Sequence, residues 1–159
     1  MPHFLLPFFR WCDATWLGDA IRGVTWAFPL IETIHILALA VLLGSIFLLN
    51  LRLLGVWIHN WTPKQMARVL SPYIWISLVV ILVSGVMLFL SEALKAFDNA
   101  AFGPKIELLI LAMVYHYTIY RKAAATEAEA PPVWAKAAAV LSLVLWFGVG
   151  VAGRAIGFV

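Results

Sequence analysis

The chain has 159 residues, 64% of them hydrophobic and 12% charged, with a mean hydropathy of +0.97. A soluble domain carries roughly a quarter charged residues, so water is excluded as the main solvent. Eleven Lys and Arg against eight Asp and Glu give a net charge of +3 scattered through the loops, which excludes a nucleic-acid footprint. The single cysteine, Cys12, excludes an intramolecular disulfide and a cysteine-rich metal site.

The apolar run Phe4 to Phe9 lacks a preceding basic stretch and a following small-residue cleavage site, so it reads as part of the mature chain. Apolar residues at Trp16, Leu17, Ala20, Ile21 and Val24 recur at helical spacing, while Asp13, Asp19 and Arg22 fall elsewhere on the wheel. This predicts an interfacial amphipathic helix over 13–24, capped by Asp13 and lying on the membrane surface. Four long apolar stretches follow, and about 20 such residues suffice to cross a bilayer. The expected spans are 26–49, with Pro29 in its first turn, 70–90, 102–120, opened by Gly103-Pro104, and 134–158. The predicted fold is all-α: an integral membrane four-helix bundle with an N-terminal interfacial amphipathic helix, residues 1–159 forming a single transmembrane domain. Ala123 to Pro132 reads as a flexible loop.

Lys and Arg are retained on the cytoplasmic side of a membrane. Arg52, Lys64 and Arg68 in the first loop and Arg121, Lys122 and Lys136 around the third stand against Arg10, Arg22, Lys95, Lys105 and Arg154. That bias predicts a multi-pass protein of a bacterial inner membrane with both termini periplasmic.

At the centre of a membrane helix an ionisable side chain costs about 2.5 to 3.5 kcal/mol on insertion scales, so each needs a partner or a function. Glu32 and His35 share one face of the first span, Glu107 and His116 lie near opposite ends of the third, and Arg154 lies in the fourth. On the predicted orientation Glu32, His35, Glu107 and Arg154 share the outer leaflet. Glu32 and Arg154 are expected to pair there, and such a pair would by itself hold the first and fourth helices together. A single Glu-x-x-His is no di-metal signature, which needs the motif twice. His116, beside Tyr115, Tyr117 and Tyr120, suits either an aromatic belt or axial haem ligation by a neutral imidazole. His59, between Trp57 and Trp61, reads as interfacial. Met87 could join His35 in a His/Met copper or haem site, although a thioether in an apolar helix also serves packing. Gly148, Gly150, Gly153 and Gly157 form a stripe for close helix packing or self-association.

Two resemblances follow from motifs. His35, Gly44 and Arg52 in the first span, Ser84-Gly85-Val86-Met87-Leu88 in the second, and Lys105 with Tyr115-His116 in the third resemble the membrane-embedded HemJ-type protoporphyrinogen oxidases. That likeness implies a haem-ligand role for His35 and extends it to His116. Asn99, Phe102 and Lys105, then Ser142-Leu143-x-Leu145-Trp146 and Gly153-Arg154-x-Ile156, resemble a family of small bacterial membrane proteins related to the CopD copper-resistance proteins. The fourth span follows this second pattern.

The leading expectation is a haem b-binding inner-membrane redox or electron-transfer protein, a membrane oxidoreductase. Its candidate cofactor-binding residues are His35, His116, Glu32, Arg154, Lys105 and Arg52, with His35 and His116 at the haem iron and Met87 as a further metal ligand. His35 lies outward of its span centre and His116 inward of its own, a difference of roughly 10 Å at 1.5 Å per residue. Axial ligands of one haem must be nearly level, and helix tilt of about 20° or more would recover part of the difference. The alternatives are CopD-like copper or small-solute transport, for which soft ligands are few, and a cofactor-free structural subunit of a membrane oligomer. Expected partners are membrane lipid, further copies of the chain or a larger membrane complex, and a quinone.

Overall fold

In the computed structural model the chain is all-α, and residues 3–56, 60–128 and 130–155 are described. The expectations placed on His59, Ile156 and Gly157 lie outside the described residues. A 3-10 turn (His3–Leu5) leads into α1 (Leu6–Asp13) and α2 (Trp16–Arg22). Next come α3 (Ala27–Leu54), α4 (Pro63–Ser91) and α5 (Ala93–Asp98). The helix α6 (Phe102–Tyr115) continues through a π-helical turn (His116–Tyr120) into α7 (Arg121–Ala124), and α8 (Val133–Ala155) follows.

Among the described residues three helices, α3, α4 and α8, are long and apolar enough to cross a membrane, which marks the chain as a multi-pass membrane protein. Their 28, 29 and 23 residues reach about 42, 43 and 34 Å at 1.5 Å per residue, against a hydrocarbon core about 30 Å thick. Both α3 and α4 run further toward their shared loop than hydropathy predicts, because local capping carries them there. Gly55, at φ 76°, ends α3 in the left-handed conformation that favours glycine. At the start of α4, Thr62 accepts from Gln65 N while Gln65 Oε1 accepts from Thr62 N at 2.9 Å, and Pro63 occupies the first turn. Arg52, expected in a loop, therefore falls in the last turn of α3 and is buried.

The N-terminal region departs from expectation. In place of one helix over 13–24 there are two, and Asp13 ends the first instead of capping the second. Thr15 takes the extended backbone of an N-cap, accepts from Gly18 N at 3.3 Å and donates to Cys12 O at 2.8 Å, so one hydroxyl serves both helix ends. Of the expected apolar face of α2 only Ile21 is buried, and Trp16 is 80% exposed. What α2 does bury is Gly18, where a Cβ would stand 2.5 Å from Leu90 O of α4. Arg22 fastens this close approach, donating to Ser91 O at 2.8 Å and Asp13 O at 2.7 Å and pairing with Asp19 at 2.6 Å.

Two hydrophobic clusters result. The larger fills the bundle between α3, α4, α6 and α8, with Leu42, Ile46 and Leu53 against Leu78, Ala112 and Ala139. The smaller ties α1 to one end of the bundle through Phe9, Cys12, Ala93 and Phe97, with Phe89 stacked on Phe102 at 5.5 Å. At the opposite end Lys64 N donates to Thr126 O at 3.2 Å, and Lys64 Nζ pairs with Glu127 at 2.5 Å. The helical run from Phe102 to Ala124 therefore starts beside the last turns of α4 and ends beside its first.

The described glycines of the α8 stripe face neighbouring helices of the chain. A Cβ at Gly148 would meet Leu108 at 3.8 Å, at Gly150 Leu43 at 3.5 Å, and at Gly153 the Lys105 Cε at 3.6 Å. Each distance is an ordinary van der Waals contact, so these three positions line the contacts of α8 with α3 and α6 without requiring glycine there.

Candidate functional site

The polar groups of the bundle gather at two levels. At the first, His35 of α3 places Nδ1 2.8 Å from Ser84 Oγ of α4. Ser84 also donates to Val80 O at 2.5 Å, the usual back-bond of a helical serine. A hydroxyl has one proton, and here the backbone carbonyl takes it, so toward His35 the oxygen can only accept. Nδ1 then carries the ring proton, and Nε2 keeps its lone pair. Gly85 makes room for the ring, since a Cβ there would stand 3.3 Å from His35 Cε1.

Lys105, in the first turn of α6, completes this level. Its Nζ lies 3.7 Å from where a Gly153 Cβ would be, and its charge acts on the His35 ring. Residues of α3, α4, α6 and α8 thus converge on one imidazole and one ammonium. Ser84 and Gly85 hold His35, and Lys105, also expected from sequence, lies against Gly153 within electrostatic reach of the ring. Met87 is half-buried three residues beyond Ser84.

Glu32 does not join. It is exposed and enters none of the ion pairs among the described residues, which are Asp13–Arg22, Asp19–Arg22, Lys64–Glu127 and Glu92–Lys95. The expected pairing with Arg154 fails on height. Gly150 of α8 faces Leu43 of α3, and one turn further along each helix Arg154 reaches the level of Leu39. Glu32 lies seven residues beyond that, about 10 Å at 1.5 Å per residue. Glu107 is also exposed.

The second level surrounds His116, at the point where α6 passes into the π-turn. The ring packs 5.0 Å from Tyr120, 5.3 Å from Tyr117 and 6.1 Å from Trp146 of α8. Asn50 of α3 donates through Nδ2 to Ser142 Oγ at 3.3 Å, and Tyr115 OH donates to Ala138 O at 2.8 Å. Arg52, buried two residues beyond Asn50, donates through Nε to Trp61 O. One turn along each helix from the Asn50–Ser142 contact, Trp146 stands level with Ile46 of α3, eleven residues from His35, about 16 Å at 1.5 Å per residue. His35 and His116 are therefore not brought together.

Among the described residues, no three His, Cys, Asp or Glu side chains gather as a metal site. A haem needs only one protein nitrogen at its iron, and His35 offers one. Residues 8–159 match a family described as of unknown function, DUF6644. The chain belongs to this DUF6644 family. No curated protein and no solved structure matches it.

The pattern behind the family match covers nearly the whole of this DUF6644 chain, and both polar levels lie within it. Sequence reading singled out His35, Lys105 and His116 but passed over Asn50, a buried amide in an apolar helix. A search confined to ionisable side chains misses it, whereas a search for any side-chain amide inside a span would have found it. The π-turn leaves no such signal, because a widened helical turn has no residue signature of its own.

Proposed function

We propose that this protein is a haem b-binding redox protein of a bacterial inner membrane, with His35 Nε2 as the protein ligand to the iron. One observation carries the reading: Ser84 holds the His35 ring by Nδ1, 2.8 Å away, and leaves Nε2 with its lone pair. Ligating histidines characteristically donate their other ring N–H to such a partner, which fixes the tautomer and the ring orientation. The bound haem would supply one-electron chemistry. Lys105 adds a cation beside the ring, suited to a carboxylate of the porphyrin edge. The HemJ-type resemblance takes in His35, Gly85 and Lys105, and the CopD-like one takes in Lys105 and Gly153.

In this reading the helical run Phe102 to Ala124 is a fourth membrane crossing. Support comes from its two ends, since Phe102 stacks on Phe89 while Thr126 bonds Lys64, at opposite ends of α4. Both termini then face the periplasm, and the Lys64–Glu127 end faces the cytoplasm, where Lys and Arg are retained. Reporter fusions after Lys64 and at the C-terminus should give opposite signals, and equal signals would remove the four-crossing topology.

The cofactor is tested by colour. Protein purified after haem supplementation should show a Soret band that shifts with dithionite, and His35→Ala should lose it. Colourless wild-type protein would end the haem reading. An unchanged band per mole of His35→Ala protein would remove His35 as the ligand.

A further inference from the structure

The second polar level holds more unmet hydrogen-bonding groups than a dry helix interface sustains. Five buried side-chain atoms there have no partner: Asn50 Oδ1, His116 Nδ1, Tyr117 OH, Tyr120 OH and Trp146 Nε1. Asn50 is 0%, Tyr120 1% and Trp146 3% exposed, so bulk water does not serve them directly. Buried polar groups in native proteins are almost always paired, with protein or with ordered water. Five orphans on three neighbouring helices therefore point to a resident partner.

The atoms are mixed in kind. The Trp146 indole only donates, Asn50 Oδ1 only accepts, and the two phenols do either. Ser142 links the ends, accepting from Asn50 Nδ2 at 3.3 Å and approaching the Tyr120 hydroxyl without closing a well-formed bond. An anion would meet Asn50 Oδ1 unfavourably, and a cation would meet the indole N–H. Water suits every one of them. Size decides against a flat organic ring: the His116, Tyr120, Tyr117 and Trp146 rings already stand at 5.0 to 6.1 Å, ordinary aromatic contact distances. A ring inserted between His116 and any of the other three would force them apart. Water needs only two to four polar partners and about one probe sphere of space.

The backbone adds a second reason. From His116 to Tyr120 the helix is wound as a π-turn, a widening that disturbs the ordinary ladder and recurs at functional positions. Asn50 lies one turn from the end of α3, near the buried Arg52 and the loop carbonyl of Trp61. The polar line thus runs from the Lys64 end of the bundle inward to His116.

We propose that Asn50, Ser142, Tyr120, Tyr117, Trp146 and His116 bind a cluster of ordered water that exchanges with solvent from the Lys64 end of the bundle. Nothing in this depends on a haem at His35.

The test is hydroxyl-radical labelling by X-ray pulses of the intact protein in lipid nanodiscs, read by mass spectrometry. Radicals form from water where it is bound, so Tyr117, Tyr120 and Trp146 should oxidise several-fold faster than Phe9 and Phe97. Those phenylalanines, 5% and 7% exposed, lie in an all-apolar cluster and set the dry baseline. Tyr120→Phe should lower labelling at Trp146 and His116, and rapid mixing with oxygen-18 water before the pulse should place that isotope in the products. Labelling no faster than at Phe9 and Phe97 in the wild-type protein overturns the site, whether or not the variant folds. Labelling that rises only after solvent extraction of lipids would show a lipid-soluble ligand in place of water and equally overturn it. Products free of oxygen-18 would overturn the exchange with the surface.

Discussion

His35 and Ser84 meet across α3 and α4 with Nδ1 and Oγ 2.8 Å apart, and the serine proton is already given to Val80 O at 2.5 Å. The direction of the whole relay follows from this order. The ring proton points along Nδ1 toward Ser84, the hydroxyl proton points to the backbone, and Nε2 is left as the reactive nitrogen. A glycine follows the serine at 85, so the same two residues supply the acceptor and the space.

Ser84→Ala removes the only part of this relay that can be deleted without touching the ring. The half-buried ring then loses Ser84 and keeps only the backbone carbonyl of Ile81, at the cost of one net hydrogen bond, about 0.5 to 1.5 kcal/mol. Nitrogen-15 spectra of labelled histidine should give one neutral tautomer for His35 in the wild-type protein, protonated at Nδ1, and a mixture in the variant. A wild-type signal from the Nε2-protonated tautomer would reverse the assignment.

Much of this fold is written in the sequence at long range. Three of the four expected spans, their order and the histidine in the first are legible, because burial in lipid demands composition, and composition is visible. Where the helices end is less so. Arg52 looks like a loop residue by charge, yet the Gly55 cap and the Thr62–Gln65 box carry the helices past the apolar stretch. Pairing is less legible still: Glu32 and Arg154 match in charge and leaflet, but the register of α3 against α8 separates them by about 10 Å at 1.5 Å per residue. Register is set by small contacts such as Gly150 on Leu43, which no residue announces alone. The His35 level was legible in its two ionisable members; Ser84 stood out only as part of a motif, and its role toward His35 depends on the neighbouring helix.

The glycines of α2 and α3 should respond in opposite ways to one added methyl. At Gly18 a Cβ would meet the Leu90 carbonyl oxygen at 2.5 Å, and backbone cannot step aside as a flexible side chain does. Gly18→Ala should cost about 1 to 3 kcal/mol, the range for overpacking. At Gly44 nothing lies within 4 Å, and relief of glycine's backbone entropy should stabilise Gly44→Ala by about 0.5 to 1 kcal/mol. Cys12 reports both changes, because it is 2% exposed and burial pushes its thiol up, so alkylation waits on opening of the α1 cluster. Gly18→Ala should speed that alkylation and Gly44→Ala should not. Equal rates in the two variants would contradict the close approach of α2 to α4.

The Lys64–Glu127 contact joins the start of α4 to the segment after α7, and it is open to water. Hydrogen bonding and charge from Lys64 hold the Glu127 carboxyl below the usual carboxylate range. For a lowered carboxyl the sign is fixed: its contribution to stability is present above the ordinary glutamate value and is lost as pH falls through the lowered one. Exposed pairs contribute little and are screened by salt, so Glu127→Gln should leave thermal unfolding in detergent nearly unchanged. Carbon-13 titration should put the Glu127 midpoint below that of a free glutamate, and Lys64→Gln or high salt should restore it. A midpoint indifferent to both would mean that the two side chains are not paired in solution.

The two histidines of the bundle separate by function if their levels separate in space. His35 stands with Ser84 and Gly85, and His116 stands with Tyr117, Tyr120 and Trp146. Trp146 is level with Ile46 of α3, and the eleven residues from there to His35 make about 16 Å at 1.5 Å each, a gap that helix tilt of about 20° does not close for side chains packed against fixed neighbours on α8. One iron cannot take both imidazoles as axial ligands. His35→Ala should therefore remove the Soret band, while His116→Ala should leave its position and its dithionite response unchanged, because the ligand set stays the same. Any loss in His116→Ala should appear as lower thermal stability, since truncating the ring strips contacts from two tyrosines and a tryptophan. A Soret shift in His116→Ala, with the far-ultraviolet helix signal intact, would place both histidines on one haem and overturn the two-level arrangement.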